Sequence, residues 1–501
     1  MRAQLRPWRQ WGEPVLGLCA RSGRTRRGLR NPLIIPTMSD LPRAPDGEPL
    51  RGPSLGAGDC ESNHKMRPRM QGGLVGPRTA VTLCPVTWSA PDPPRLHVRT
   101  RAVDDPGSLL ALLPPKDSYV WLRHGDGLVG WGEVVRLKPA SIAEAAEWWA
   151  DLVAHVEVTA ELDDLPAGAG LMAFGSFLFD PANSAGRSSL IVPQRVVGRR
   201  HGQVWVTDIG PVPGDGVETS RPTLAERPRN VSFADGGLSG PEWETAVAEA
   251  VRRIGDGKLE KVVLARDLLA FAENDIDPRW LAARLTENYS QCWTYVVDGL
   301  VGATPEMLVK REAGLATSRV LAGTIRRSGD DDHDLNLAAA LARSSKDLEE
   351  HEYAVRSVAR SLAPFCSGMN VPDAPYVLQL PNVLHLATDI TAVADKGVAS
   401  LALAAALHPT AAVCGTPTVN ARSLIAELEH LDRERYAGPV GWIDANGDGE
   451  WAIALRCGQL SETDPHQIRL FAGCGIVAGS DPAAEWAEAN AKLIPMRDSL
   501  G

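Results

Sequence analysis

From about Thr82 to residue 237 the apolar positions come in short runs bounded by Gly, Pro and Asp. Tyr119-Val120-Trp121-Leu122 and Leu128-Val129-Gly130-Trp131-Gly132 are two of them, and the pattern predicts strands joined by turns. The run Leu171 to Phe179 is apolar without alternation, which predicts a strand buried on both faces. One helix, from Ala145 to about Val156, interrupts the series. After a connection at 227–237 the period changes. Ser239 and Glu242 make a capping box, and Trp243, Val247, Val251 and Ile254 fall on one helical face. Strands such as Lys261 to Leu269 then alternate with long helices such as Asn336 to Leu362. Residues 1 to 78 follow neither the strand nor the helix period. Disorder, or a start assigned too early given Met38, Met66 and Met70, is the expectation there. The chain thus divides into a 1–78 extension, a β-rich half over 79–237, and a 238–501 half that holds the chemistry.

Composition narrows the class of protein. With 44% hydrophobic and 23% charged residues among 501, the chain has the make-up of a globular protein. No run reaches the ~18 to 20 apolar residues of a membrane span, so no membrane role is expected. A net charge of −10 opposes binding to a phosphate backbone, which makes nucleic acid an unexpected partner despite the Arg-rich stretch from Arg2 to Arg30. The eight cysteines are scattered without a CxxC pair. That fits a reducing cytoplasm and offers no zinc-site spacing.

Five fragments carry groups able to do chemistry. In Lys261-Val-Val-Leu-Ala-Arg266 strand alternation puts Lys261 on one face with Val263 and Ala265. A buried face would make Lys261 a candidate general base, and an exposed one a lysine at a strand end. In Gly302-Ala-Thr-Pro-Glu306, Pro305 keeps Thr304 extended, and Glu306 is either a candidate acid or an ordinary turn carboxylate. Lys346-Asp-Leu-Glu-Glu-His351 places Asp347 and Glu350 one helical turn apart, and the helix after Gly479-Ser-Asp-Pro482 aligns Glu485, Glu488 and Lys492. Such faces suit Mg²⁺, which takes one or two carboxylates, or they are solvated salt-bridge faces. Ala472-Gly-Cys-Gly475 reads as a loop ending the strand from Gln467, with backbone N–H groups for a carboxylate or a tight turn. Asp444 to Gly449 matches half of a calcium loop, but Leu455 replaces the required Glu, so a polar hairpin is expected, with Arg456 at the end of the following strand.

Taken in order, these fragments, together with Leu321-Ala-Gly-Thr324, His385-Leu-Ala-Thr388 and the stretch Glu450-Trp to Arg456-Cys457, resemble the chorismate-utilising enzymes. The resemblance is dense over 238–501 and looser over 80–237. It implies an α+β fold, like component I of anthranilate synthase, of two packed, mostly antiparallel β-sheets flanked by helices, with the site in a cleft between them. It implies that Glu350 and Glu488 bind Mg²⁺, with Asp347 and Glu485 close by, and that the metal holds the ring carboxylate of chorismate. Arg456, Lys492, Gly473 and Gly475 would hold carboxylates, and Gly323 and His385 would shape the pocket. Lys261 would activate a water for attack at C2, and Glu306 would protonate the departing C4 hydroxyl.

Within that family three features resemble the isochorismate synthases. Lys261 stands where amine-forming members commonly have Gln, Ala322 precedes the Gly-Thr pair, and His408-Pro-Thr-Ala-Ala-Val-Cys-Gly415-Thr-Pro417 is followed by Thr418. The implied product would feed menaquinone or siderophore biosynthesis, and no glutaminase subunit is expected. A salicylate synthase is the nearest alternative, and a chorismate-binding protein without catalysis is the alternative of another class.

Overall fold

The capping and periodicity signals become elements largely where expected. The computed structural model describes residues 94–161, 165–211, 223–380 and 383–501. The expectation for residues 1 to 78 falls outside the described residues. Helix Gly240–Gly255 follows Ser239, whose backbone N–H donates to Glu242 at 2.9 Å, and Trp243, Val247 and Ile254 are buried from it. Helix Ile142–Val153 starts and ends earlier than the apolar pattern indicated, because Ser141 accepts from the Glu144 N–H and Val156 already belongs to a strand. The long helix expected from Asn336 to Leu362 is two, Asp331–Leu341 and Ser345–Leu362. Ser344 is the physical reason: its hydroxyl accepts from the Asp347 N–H at 3.3 Å and starts a new helix.

Among the described residues the strands form two sheets, one of 13 and one of 10. Every pairing among them is antiparallel except Leu96–Ala102 with Val156–Ala160. Both draw strands from either side of residue 238. In the larger sheet Trp293–Val297 pairs with Ser118–Arg123, and in the smaller one Pro439–Asp444 pairs with Met172–Ser176. Residues 171–179 are all buried, as the apolar run predicts, and the strand within them is Met172–Ser176. The sheets meet over an aromatic core, where Tyr119 of the larger stacks on Phe174 of the smaller at 5.6 Å and the Trp121 indole donates to Glu450 at 2.8 Å. A second core lies against helices Pro278–Asn288 and Pro482–Leu500. Asp444 closes the expected hairpin by accepting from the N–H groups of Asn446 and Asp448. Among the described residues no helix is long and apolar enough to cross a membrane, and the described cysteines are free, four of them buried.

Two connections take the chain from one sheet to the other side by side. Pro305 and Glu306 join Leu300–Thr304 of the larger sheet to Met307–Glu312 of the smaller. Ala454, Leu455 and Arg456 make the return from Gly449–Ile453 to Cys457–Leu460. The Ile453 N–H donates to the Glu306 carbonyl at 3.0 Å and the Ala303 N–H to the Arg456 carbonyl at 3.3 Å. Arg456 was expected within a strand; it lies beyond one, at φ +50°, a conformation that non-glycine residues rarely adopt.

Candidate active site

The sheet junction opens into a cavity of about 680 Å³, lined by eleven of the twelve residues that the resemblance assigns to the site: Lys261, Glu306, Gly323, Asp347, Glu350, His385, Arg456, Gly473, Gly475, Glu488 and Lys492, with Glu485 the one that is not in its wall. They arrive on several different strands, helices and connections. Lys261 opens the strand Lys261–Phe271, and its Nζ donates to Glu350 of helix Ser345–Leu362 at 2.7 Å. Lys492 of helix Pro482–Leu500 pairs with Glu488 at 2.6 Å and donates to the Gly473 carbonyl at 2.8 Å. The two carboxylates that the resemblance assigns to a metal are therefore each held by a lysine.

Gly473 and Gly475 do not form the loop that the Gly-x-Gly fragment suggested. They stay in the strand Gln467–Ile476, because Lys261–Phe271 continues to pair with it as far as Val262 opposite Ile476. Their partners across the ladder, Ala265 and Val263, send their N–H groups elsewhere, to Glu429 and to the Cys414 carbonyl. Both glycines thus sit at non-hydrogen-bonded positions, with N–H and C=O pointing away from that neighbour. On the other edge Cys457–Leu460 reaches only to Phe471, so these groups have no strand opposite them. A Cβ on Gly475 would lie 2.8 Å from Lys261 Cε, so the missing side chain makes room for the lysine.

Gly323 stands at a bulge where the register between Leu315–Arg326 and Val383–Ala394 slips, and its φ of +77° is a conformation natural to glycine. The bulge brings Thr324 opposite His385, with Oγ1 and Nδ1 2.9 Å apart. Burial, assisted by Arg456 and Lys492, lowers the His385 pKa to about 4, so the ring is neutral at ordinary pH. His351 braces the same region: its Nδ1 faces the Ala322 carbonyl at 3.3 Å and its Nε2 the Thr388 hydroxyl at 2.7 Å.

The electrostatics separate the carboxylates. Burial raises Glu306 to about 7, against the opposing pull of Arg456, Lys261 and Lys492. Glu306 can therefore carry a proton near neutrality, as a general acid must. Burial pushes Glu488 up as well, but Lys492 outweighs it and keeps the group below the usual carboxylate range. Glu485 is raised by burial and by Glu488. Cys474, Glu485 and Glu488 offer ligand atoms within 4.8 Å of one another. Burial drives the Cys474 thiol up to about 12, leaving it neutral and unsuited to a hard cation. The donors of that group that remain, Glu485 and Glu488, both sit on helix Pro482–Leu500, while Glu350 of helix Ser345–Leu362 lines the same cavity as Glu488; carboxylate oxygens are the ligands Mg²⁺ prefers.

Sequence reasoning passed over Tyr289 and Arg326, which also line the cavity. Neither belongs to a fragment with recognisable spacing. Thr324 was within reach, since it closes the Leu321-Ala-Gly-Thr324 fragment.

A family model described as chorismate binding enzyme matches residues 215–501. The isochorismate synthase DhbC of Bacillus subtilis (strain 168) is 39% identical over 272 residues, covering 52% of this chain and 68% of that protein. The crystal structure of DhbC from Bacillus anthracis is similar at a TM-score of 0.64 and 31% identity, over 78% of this chain and 98% of that one. MenF, the menaquinone-specific isochorismate synthase from Escherichia coli, has a TM-score of 0.70 at 24% identity, over 83% and 97% of the two chains, a likeness of fold. On the family match, the relatives and the shared architecture, the chain belongs to the chorismate binding enzymes.

Proposed function

We propose that this protein is an isochorismate synthase, an isomerase of the hydroxymutase type that converts chorismate to isochorismate for menaquinone or siderophore biosynthesis. The observation that carries the reading is Lys261 and a protonatable Glu306 lining one cavity that also contains two lysine-held carboxylates. In this reading Lys261, once its amine is free of Glu350, takes a proton from the water that attacks C2. Glu306 gives its proton to the C4 hydroxyl, which leaves as water. Arg456, Lys492 and the outward N–H groups of Gly473 and Gly475 hold the substrate carboxylates, and Gly323 and His385 shape the wall. Mg²⁺ would be held by Glu350 and Glu488, with Asp347 and Glu485 beside them, and would supply positive charge for the ring carboxylate.

The test is to incubate the purified protein with chorismate and Mg²⁺ and to follow isochorismate, salicylate and pyruvate. Isochorismate alone supports the proposal. Salicylate with pyruvate, made without a partner enzyme, would replace it with salicylate synthesis, and binding without turnover would leave a chorismate-binding protein.

A further inference from the structure

Beside the main cavity lies a smaller one of about 220 Å³, and Glu306 lines both. The second space sits behind the carboxyl-bearing wall, between helices Ser345–Leu362 and Ser400–Leu407 and the strands Met307–Glu312 and Leu315–Arg326. Its lining is rich in hydroxyls, with Ser357 and Ser361 from the first helix and Thr410 from the loop after His408. Thr410 Oγ1 is buried and has no hydrogen-bond partner among the described residues. A buried hydroxyl without a partner is costly unless something satisfies it, and a polar recess of this size takes several waters at ~30 Å³ each.

The charges argue for solvent over a second ligand. Arg319, the cation in the lining, is already engaged by Asp389 through two hydrogen bonds of 2.7 and 2.8 Å. His408 faces the Phe179 carbonyl at 2.9 Å, and burial lowers its pKa to about 4, so it is neutral. Neither is free to draw an anion.

We propose that this smaller cavity is a solvent chamber behind Glu306, through which the water expelled from C4 departs and the carboxylate regains its proton. The inference rests on the isochorismate synthase reading. In that reaction a C2–O bond forms from an entering water, whose proton passes to the Lys261 amine. The C4–O bond breaks as the hydroxyl takes the Glu306 proton, and water leaves. Each turnover ends with one proton too many on Lys261 and one too few on Glu306. The expelled water and the missing proton are both at Glu306, and the chamber is the second space that Glu306 lines.

The chamber can be filled from helix Ser345–Leu362 with Ser357→Leu plus Ser361→Leu. The control is Ser357→Ala plus Ser361→Ala, which keeps the volume. The filled variant should lose ~10-fold or more in kcat with KM for chorismate unchanged, as expected when release limits turnover, and the control should stay near wild type. A second readout uses chorismate carrying heavy oxygen on C4, at partial conversion in ordinary water. Wild type should lose the label from recovered chorismate as the reaction reverses with bulk water, and the filled variant should retain it because the expelled water is recaptured. A folded filled variant with wild-type kcat and wild-type label loss overturns the proposal. Should the variant not fold, a high-resolution crystal structure of the wild-type protein decides: water on Thr410 Oγ1 and on the chamber side of Glu306 supports the chamber, and a dry cavity overturns it. Failure of wild type to make isochorismate would strike the functional reading itself, a separate result.

Discussion

The Lys261 tip occupies the space that a side chain at Gly475 would enter, and replacing Gly475 by alanine would test the site at one atom. A Cβ there meets Lys261 Cε at 2.8 Å and Nζ at 3.4 Å, and ordinary contact begins at about 3.4 Å. The lysine tip is flexible and can withdraw, so the fold should survive. Gly475 does not have a positive φ, and Gly to Ala in extended backbone recovers ~0.5–1 kcal/mol of unfolded-state entropy. Thermal stability should therefore stay level or rise slightly. Withdrawal moves Nζ away from Glu350, now at 2.7 Å, and off the line to substrate. Misplacement approaching 1 Å costs about 100-fold, so kcat should fall ~10- to 100-fold, or ~1.4–2.7 kcal/mol of barrier. Steady-state kinetics on Gly475→Ala, Lys261→Ala and the double variant give the check. If the glycine acts through the lysine, the double variant is no slower than Lys261→Ala. Wild-type kcat in Gly475→Ala, or fully additive losses, would refute the reasoning.

Glu306→Gln should lower kcat ~10²- to 10⁴-fold with chorismate affinity retained, measured by titration calorimetry. Because burial raises Glu306 to about 7 from an ordinary 4.5, the acid is lost as pH rises, and wild-type kcat should decline above neutrality. The same shift makes the folded protein bind its proton more tightly than the unfolded chain, so stability is fullest below about 4.5 and falls as pH climbs through 7. Denaturant melts of Glu306→Gln should lack that fall, worth at most ~3 kcal/mol. Glu429 and Arg433 form a buried pair that also accepts from the Ala265 N–H and donates to the Val263 and Val413 carbonyls. Glu429→Ala should cost ~3–5 kcal/mol by leaving the guanidinium unpaired, read as a lower denaturation midpoint. Chelation by EDTA should stop turnover and added Mg²⁺ restore it, and Glu485→Gln should weaken Mg²⁺ binding ~10- to 100-fold by calorimetry.

What could be read from residue order and what could not divide along a physical line. Local signals sufficed where a few neighbours decide the outcome: the Ser239 cap, the buried run at 171–179 and the Asp444 hairpin all sit where the pattern put them. The cavity residues were found because each lies in a short fragment with its own spacing, although the fragments are spread along the chain from Lys261 to Lys492. Distant pairing could not be read. Ala472 to Gly475 looked like a loop because glycines disfavour strands, yet tertiary pairing with Val263 and Ala265 overrides that preference. Arg456 was placed on a strand face because alternation has no way to register a crossing between sheets. The recess behind Glu306 is made by two helices and two strands and leaves no trace in periodicity at all.

The interleaving of the sheets bears on how the chain is made. Met172–Ser176 waits for Pro439–Asp444, whose Asp444 lies opposite Met172, and at ~5–20 residues per second the ribosome needs on the order of tens of seconds to deliver it. During that interval a wholly buried apolar strand has an open edge, the kind that recruits a neighbouring copy. Nascent chains of this protein should lean on chaperones until the last third emerges, and expression at low temperature with trigger-type chaperones should raise the soluble yield more than it would for a protein whose sheets close in order of synthesis.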